Sequence, residues 1–170
     1  LSSSRKLAAF AALLILAGCG FSPLYGGGAG GETSAQLGQI AVSNIPERPG
    51  QMLRISLQTQ LHAGGAPVTE IYALNVNYSI ATTDLGVLQD TATTRFQLTA
   101  TAKWTLTPIG DPQHPLASGT ATGMDAGNII DQQYFAVDME TDTMNQHLAD
   151  TIAAQITSEL AAWFHAHPNA

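Results

Sequence analysis

Few residues in this chain have the type and spacing that chemistry needs. Cys19 is the only cysteine among 170 residues, so no internal disulfide is possible and packing alone must hold the fold. His165 and His167 stand two apart at a predicted helix end, where they do not share a face as a zinc-binding i, i+4 pair would. His62, His114 and His147 have no patterned partners. Ser118 precedes Gly119 without the flanking pattern of a nucleophile elbow, and no Ser, His and acid fall at a recognisable spacing. Asp138, Glu140 and Asp142 read as the charge cluster of a helix start, which the helix dipole favours, rather than as paired catalytic carboxylates. Neither a catalytic set nor a metal site is expected.

Cys19 stands apart because of what precedes it. Arg5 and Lys6 form a basic head, and Leu7 to Ala17 is an eleven-residue apolar stretch. Those are the dimensions of a signal peptide. A spanning helix needs about 20 apolar residues, and here it would have to absorb Gly18, Gly20, Pro23 and Gly26-Gly27-Gly28. Leu16-Ala17-Gly18-Cys19 resembles the bacterial lipobox, with small residues at the two positions before a cysteine that ends an apolar run. The resemblance implies cleavage between Gly18 and Cys19, a diacylglycerol thioether on the Cys19 sulfur, and acylation of the new amino group. No other cofactor is implied. Acyl chains of palmitate type contribute about 0.8 kcal/mol per buried CH₂, so three of them anchor a protein essentially permanently. Gly20 rather than Asp follows the cysteine, as in lipoproteins sorted to the outer membrane. Leu1 stands where a methionine is usual, which leaves an alternative start codon or a trimmed chain.

Gly26 to Gly31 formally meets the G-x-G-x-x-G fingerprint, yet an export signal precedes it and a polar, unpatterned stretch follows. It reads as a flexible tether. The expected organisation is therefore a leader over 1–18, a lipidated and glycine-rich tether over 19–38, and a folded domain over 39–167.

Charged residues make up 11 % of the chain, where a soluble domain usually has about 25 %. Beyond the leader, Arg48, Arg54, Arg95 and Lys103 face all 13 acids, a formal charge of −9. This balance excludes nucleic acid, whose phosphates call for clustered Lys and Arg. It also excludes peripheral attraction to anionic lipid. Thr, Ser, Gln and Asn fill the polar positions instead, as on a surface that another protein covers, or simply as in many exported bacterial proteins.

The periodicity supplies the elements. Gln39 to Ile45 reads as a short strand, closed by Pro46 and Pro49. Gly50 to His62 is helical, with Leu53, Leu57 and Leu61 on one face and Ile55 opposite. Tyr72, Leu74, Val76, Tyr78 and Ile80 alternate with polar or small residues, as do Phe96, Leu98, Ala100, Ala102, Trp104 and Leu106. A period of two means one face buried and one polar, as in an antiparallel sheet. Leu116 to Met124 is a weaker third member, and Thr83 to Gly86 and Pro108 to Pro112 supply turns. From Met144 to Phe164 an apolar face recurs at helical spacing, with Trp163 on it facing the strand of Trp104. The fold class expected is α+β, a two-layer sandwich in the order β-α-β-β-β-α: four mostly antiparallel strands, with two helices on one face and a Thr-rich polar face opposite.

Cys19-Gly20-Phe21-Ser22-Pro23-Leu24-Tyr25-Gly26 resembles the start of mature lipopolysaccharide-assembly lipoproteins of the LptE family, in which a lipidated cysteine leads into Gly-aromatic-x-Pro-Leu-Tyr-Gly. The order of elements matches that family as well. The resemblance implies a non-enzymatic protein on the periplasmic side of the outer membrane, plugging an LptD-type β-barrel and helping it mature. Together the two would move lipopolysaccharide to the cell surface. For lipopolysaccharide phosphates the best pair of cations is Arg95 and Lys103, on the polar face of one predicted strand; the other reading is two solvated or barrel-facing charges. A stand-alone lipoprotein binding a small ligand or peptide is the alternative, which a sizeable apolar pocket between sheet and helices would favour.

Overall fold

A computed structural model describes residues 31–63, 65, 69–87, 93–128 and 134–168. Gly18 and the stretch from Cys19 to Gly26 lie outside the described residues. Seven elements run in the order α1 (Glu32–Leu37), β1 (Ile40–Val42), α2 (Arg48–Leu61), β2 (Tyr72–Val87), β3 (Thr93–Pro108), β4 (Ala117–Asn128) and α3 (Tyr134–Ala166). The four strands form one sheet in sequence order. β1 pairs with β2 in parallel, and the remaining pairings are antiparallel. The sheet is thus mixed, because α2 carries the chain back along the sheet between β1 and β2 as a crossover must.

Each strand sends alternate side chains to a common core. Leu74, Ala100, Ala102, Leu106 and Ala121 from the sheet are fully buried, as are Leu53 and Leu57 of α2 and Ile152, Ile156, Leu160 and Phe164 of α3. The length of α3 follows from what it must cover. Its 33 residues rise about 50 Å at ~1.5 Å each, and the 16-residue strands β2 and β3 extend about 53 Å at ~3.3 Å each. One unbroken helix therefore spans the long hairpin. Ile55 on the outer side of α2 is 63 % exposed, as its position opposite the leucine stripe required.

Five features differ from the sequence reading. β1 covers only Ile40–Val42, short of the expected end at Ile45. A third helix, α1, occupies residues 32–37 and buries Leu37, with Gly38 closing it through an N–H bond of 3.1 Å to the Ser34 carbonyl. Six residues carry too little periodicity to announce a helix. Thr83 to Gly86 is not a turn; β2 continues through it to Val87, and its turn-prone residues are accommodated as register shifts around Gly86. The long helix begins at Tyr134, so Asp138, Glu140 and Asp142 sit beyond its first turn, and Asp142 pairs with Arg48 of α2 at 2.6 Å. Trp163 is half-buried and stacks on His167 at 4.7 Å, while the partner of Trp104 on the helix is Glu159, one turn earlier.

The entry to α2 depends on close approach. Glu47 before it has φ 67°, Pro49 pre-sets the first turn, and a Cβ on Gly50 would lie 2.7 Å from Ile45 Cγ2. Only glycine lets the helix seat against the buried Ile45.

Candidate functional site

The register fixes what the outer sheet face presents. Reading across β2, β3 and β4, its rows are Asn75–Thr105–Ser118, Asn77–Lys103–Thr120, Ser79–Thr101–Thr122 and Ala81–Thr99–Met124. Hydroxyls and amides dominate, and all of these positions except the half-buried Thr99, Thr101 and Thr105 are exposed. No carboxylate belongs to the described part of this face. Asp125 of β4 falls on the helix side, 3.0 Å from His147 of α3, and the other described acids are on helices, in loops or on the helix side of β2. Among its described residues, a chain with a strong acidic excess thus has one sheet face without acid, where the charged residues are Lys103 and Arg95.

Both cations occupy the polar face of β3, as their parity predicts. They lie eight residue steps apart, about 26 Å at ~3.3 Å per step, so they cannot close on one phosphate. Lys103 lies across from Asn77 and Thr120, and Arg95 across from Gly86 and Asn128 near the far end of the sheet. Neither forms an ion pair with a described residue; the ion pairs found are Arg48–Asp142, His114–Asp111 and His147–Asp125.

Lys103 borders a groove of about 370 Å³ lined also by Ser43, Asn44, Asn75, Asn77 and Tyr78. Ser43 Oγ donates to Asn75 Oδ1 at 2.7 Å inside it. A second groove of about 270 Å³ continues past Tyr78 between Pro46, Glu47 and Gly50 on one side and Ile80, Thr82, Thr141 and Asn145 on the other. The Tyr78 hydroxyl is buried with no hydrogen-bond partner, and burial pushes its pKa up to about 12. The first groove borders the edge of β2 on its polar side, and the second opens between that edge, Leu98 of β3, the start of α2 and Thr141 and Asn145 of α3. Sequence reading missed this edge, because nothing local reveals that β1 stops after three residues.

Among the described residues no cluster of His, Cys, Asp and Glu is arranged to hold a metal ion. His114 meets only Asp111, and the His167 Nδ1–H donates to the Trp163 carbonyl at 2.8 Å. Ser118 stands in the Thr105 row of the polar face. No described helix is long and apolar enough to cross a membrane.

Fold and surface together define a two-layer α+β module with one hydroxyl-rich sheet face that carries no acid among the described residues. The family model for lipopolysaccharide-assembly LptE matches residues 37–160, and the chain belongs to that family. Solved structures share the fold. A candidate lipoprotein from Caulobacter crescentus matches with TM-score 0.63 and 21 % identity, covering 79 % of this chain and 98 % of its own. A minor lipoprotein from Acinetobacter baumannii gives 0.59 and 17 %, covering 73 % and 91 %. The rare lipoprotein B from Shewanella oneidensis gives 0.58 and 10 %, covering 76 % and 97 %. No curated protein matches the chain by sequence.

Proposed function

We propose that this chain is a non-enzymatic outer-membrane lipoprotein, anchored through acyl chains on Cys19, that sits as a plug in an LptD-type β-barrel. In that place it assists the barrel's assembly and takes part in lipopolysaccharide transport to the surface. Membership of the LptE family supports this reading, and the acid-free sheet face is the observation that carries it. The lumen of a large membrane barrel is polar. A partner that stays there is covered permanently, and each charge it brought would lose its water. Rows of Thr, Ser and Asn meet such a wall through hydrogen bonds at a lower desolvation cost. Lipopolysaccharide phosphates, if they reach this face, meet Lys103 or Arg95 singly.

Isolation of the tagged protein from its native envelope in mild detergent tests the reading. A large barrel protein is expected in the same fraction, and the mature chain is expected to begin at Cys19 with the mass of a diacylglyceryl group and one N-acyl chain. Recovery of the protein alone, or of an unmodified Cys19 with the leader intact, contradicts it.

A further inference from the structure

The two edges of the sheet are not alike. β1 pairs with β2 only from Tyr72 to Leu74. Along that stretch the even-numbered residues of β2 turn their backbone groups toward β1: the Tyr72 N–H donates to the Gln39 carbonyl at 3.2 Å, and the Leu74 carbonyl accepts from the Ser43 N–H at 3.0 Å. Odd-numbered residues turn toward β3: just before the strand the Ile71 carbonyl accepts from the Ile109 N–H at 2.9 Å, although the Ile71 N–H still shares the Gln39 carbonyl at 3.0 Å where the ladder begins. The alternation carries on along the strand. Val76, Tyr78, Ile80 and Thr82 therefore aim their N–H and C=O groups away from β3, and no described strand pairs with them there. Pro46 and Pro49 have by then taken the chain off into α2.

Proteins usually blunt such an edge with a charge, a proline, a bulge or a cover. From Asn75 to Thr83 there is no charged residue and no proline, and the pairing with β3 is regular until the irregularity around Gly86. Val76, Tyr78, Ile80, Thr82 and Thr83 are strong strand formers. The opposite edge is different in kind: β4 contains Gly119, Gly123, Gly127 and Asp125, which make a poor template.

We propose that the β2 edge from Val76 to Thr82 is a strand-addition site that receives an extended segment of a partner polypeptide; it rests on the reading above, with the barrel partner as the source of that segment. Six residue steps span about 20 Å at ~3.3 Å each, and only another extended backbone offers alternating donors and acceptors over that distance. The two grooves that share Tyr78 open on either face of this edge, one toward the polar side and one toward the helices, and give room for alternate side chains of the added segment. Lys103 is the charged side chain lining the first groove and Glu47 that lining the second. The matching segment has an uncharged centre, an acidic residue level with Asn77 and a basic residue toward Thr82.

Amide hydrogen exchange on the isolated protein and on the complex purified from the envelope tests this. The Val76, Tyr78, Ile80 and Thr82 amides should exchange quickly in the isolated protein and slow by about a hundredfold in the complex, while the free edge of β4 stays unchanged. Thr82→Pro removes one edge N–H and spares the β3 ladder; recovery of the partner should fall about tenfold with Tm and circular dichroism unchanged. A recovered complex in which these four amides stay unprotected overturns the inference and leaves the proposed function standing. Protection that grows with concentration of the isolated protein, together with a dimer, assigns the edge to a second copy and also overturns it. Failure to recover any partner removes both.

Discussion

The indole Nε1–H of Trp104 donates to Glu159 Oε2 at 2.9 Å, joining the middle of β3 to the final turns of α3. Gln155 holds the other oxygen of the same carboxylate at 3.1 Å. The indole lies against Gly119 of β4, where a Cβ would come within 2.7–2.8 Å of three ring atoms. A bulky aromatic is thus fitted between strand and helix with its one polar atom satisfied.

Removing that acceptor should be costly. Glu159→Ala leaves a buried N–H unpaired and should lower stability by about 1–3 kcal/mol in urea unfolding, with Glu159→Gln losing less. Gly119→Ala should cost about 1–3 kcal/mol through displacement of the indole. Thr120→Ala, one residue on and facing outward, should change stability by no more than about 0.5 kcal/mol.

Tyr78 makes a pH prediction. In the unfolded chain its phenol ionises near pH 10, and in the fold burial holds it neutral to about 12. The unfolded state therefore releases this proton first, and stability should fall as pH rises from about 10 toward 12. Tyr78→Phe should abolish that part of the pH dependence and the phenolate absorbance that develops near pH 12. At neutral pH it should be neutral or stabilising, because it removes an unpaired buried hydroxyl.

The separation of Arg95 and Lys103 predicts independence. Arg95→Gln and Lys103→Gln should each leave stability within about 0.5 kcal/mol of the parent, since both side chains are exposed and neither has a described ion-pair partner. Measured against detergent-dispersed lipopolysaccharide, any losses in affinity should multiply in the double variant, as they do for sites more than about 10 Å apart. Strong coupling between the two would show that one headgroup spans them, contrary to the geometry.

Much of this architecture could be read from residue order. The period of two in Tyr72–Ile80 and Phe96–Leu106 gave both long strands and their buried faces, and the stripe from Met144 to Phe164 gave the covering helix, because those patterns repeat over many residues. The ends were harder. Gly86 and Asp84 are turn residues in isolation, yet ladder hydrogen bonds on either side hold them in β2 as an irregularity. α1 is six residues long, and its burial comes from tertiary contact with α3 rather than from its own pattern. The polar face was legible from the alternation of Thr, Asn and Gln. Its freedom from acid was not, because the side on which Asp125 falls depends on the β3–β4 register. The open edge of β2 was hidden for the same reason: it depends on where β1 stops.

Depletion of this chain in its native host tests the account most directly. Surface lipopolysaccharide should fall, and the partner barrel should accumulate in an immature form; restoring the full-length chain should reverse both. Normal surface lipopolysaccharide with a fully matured barrel after complete depletion would contradict the account.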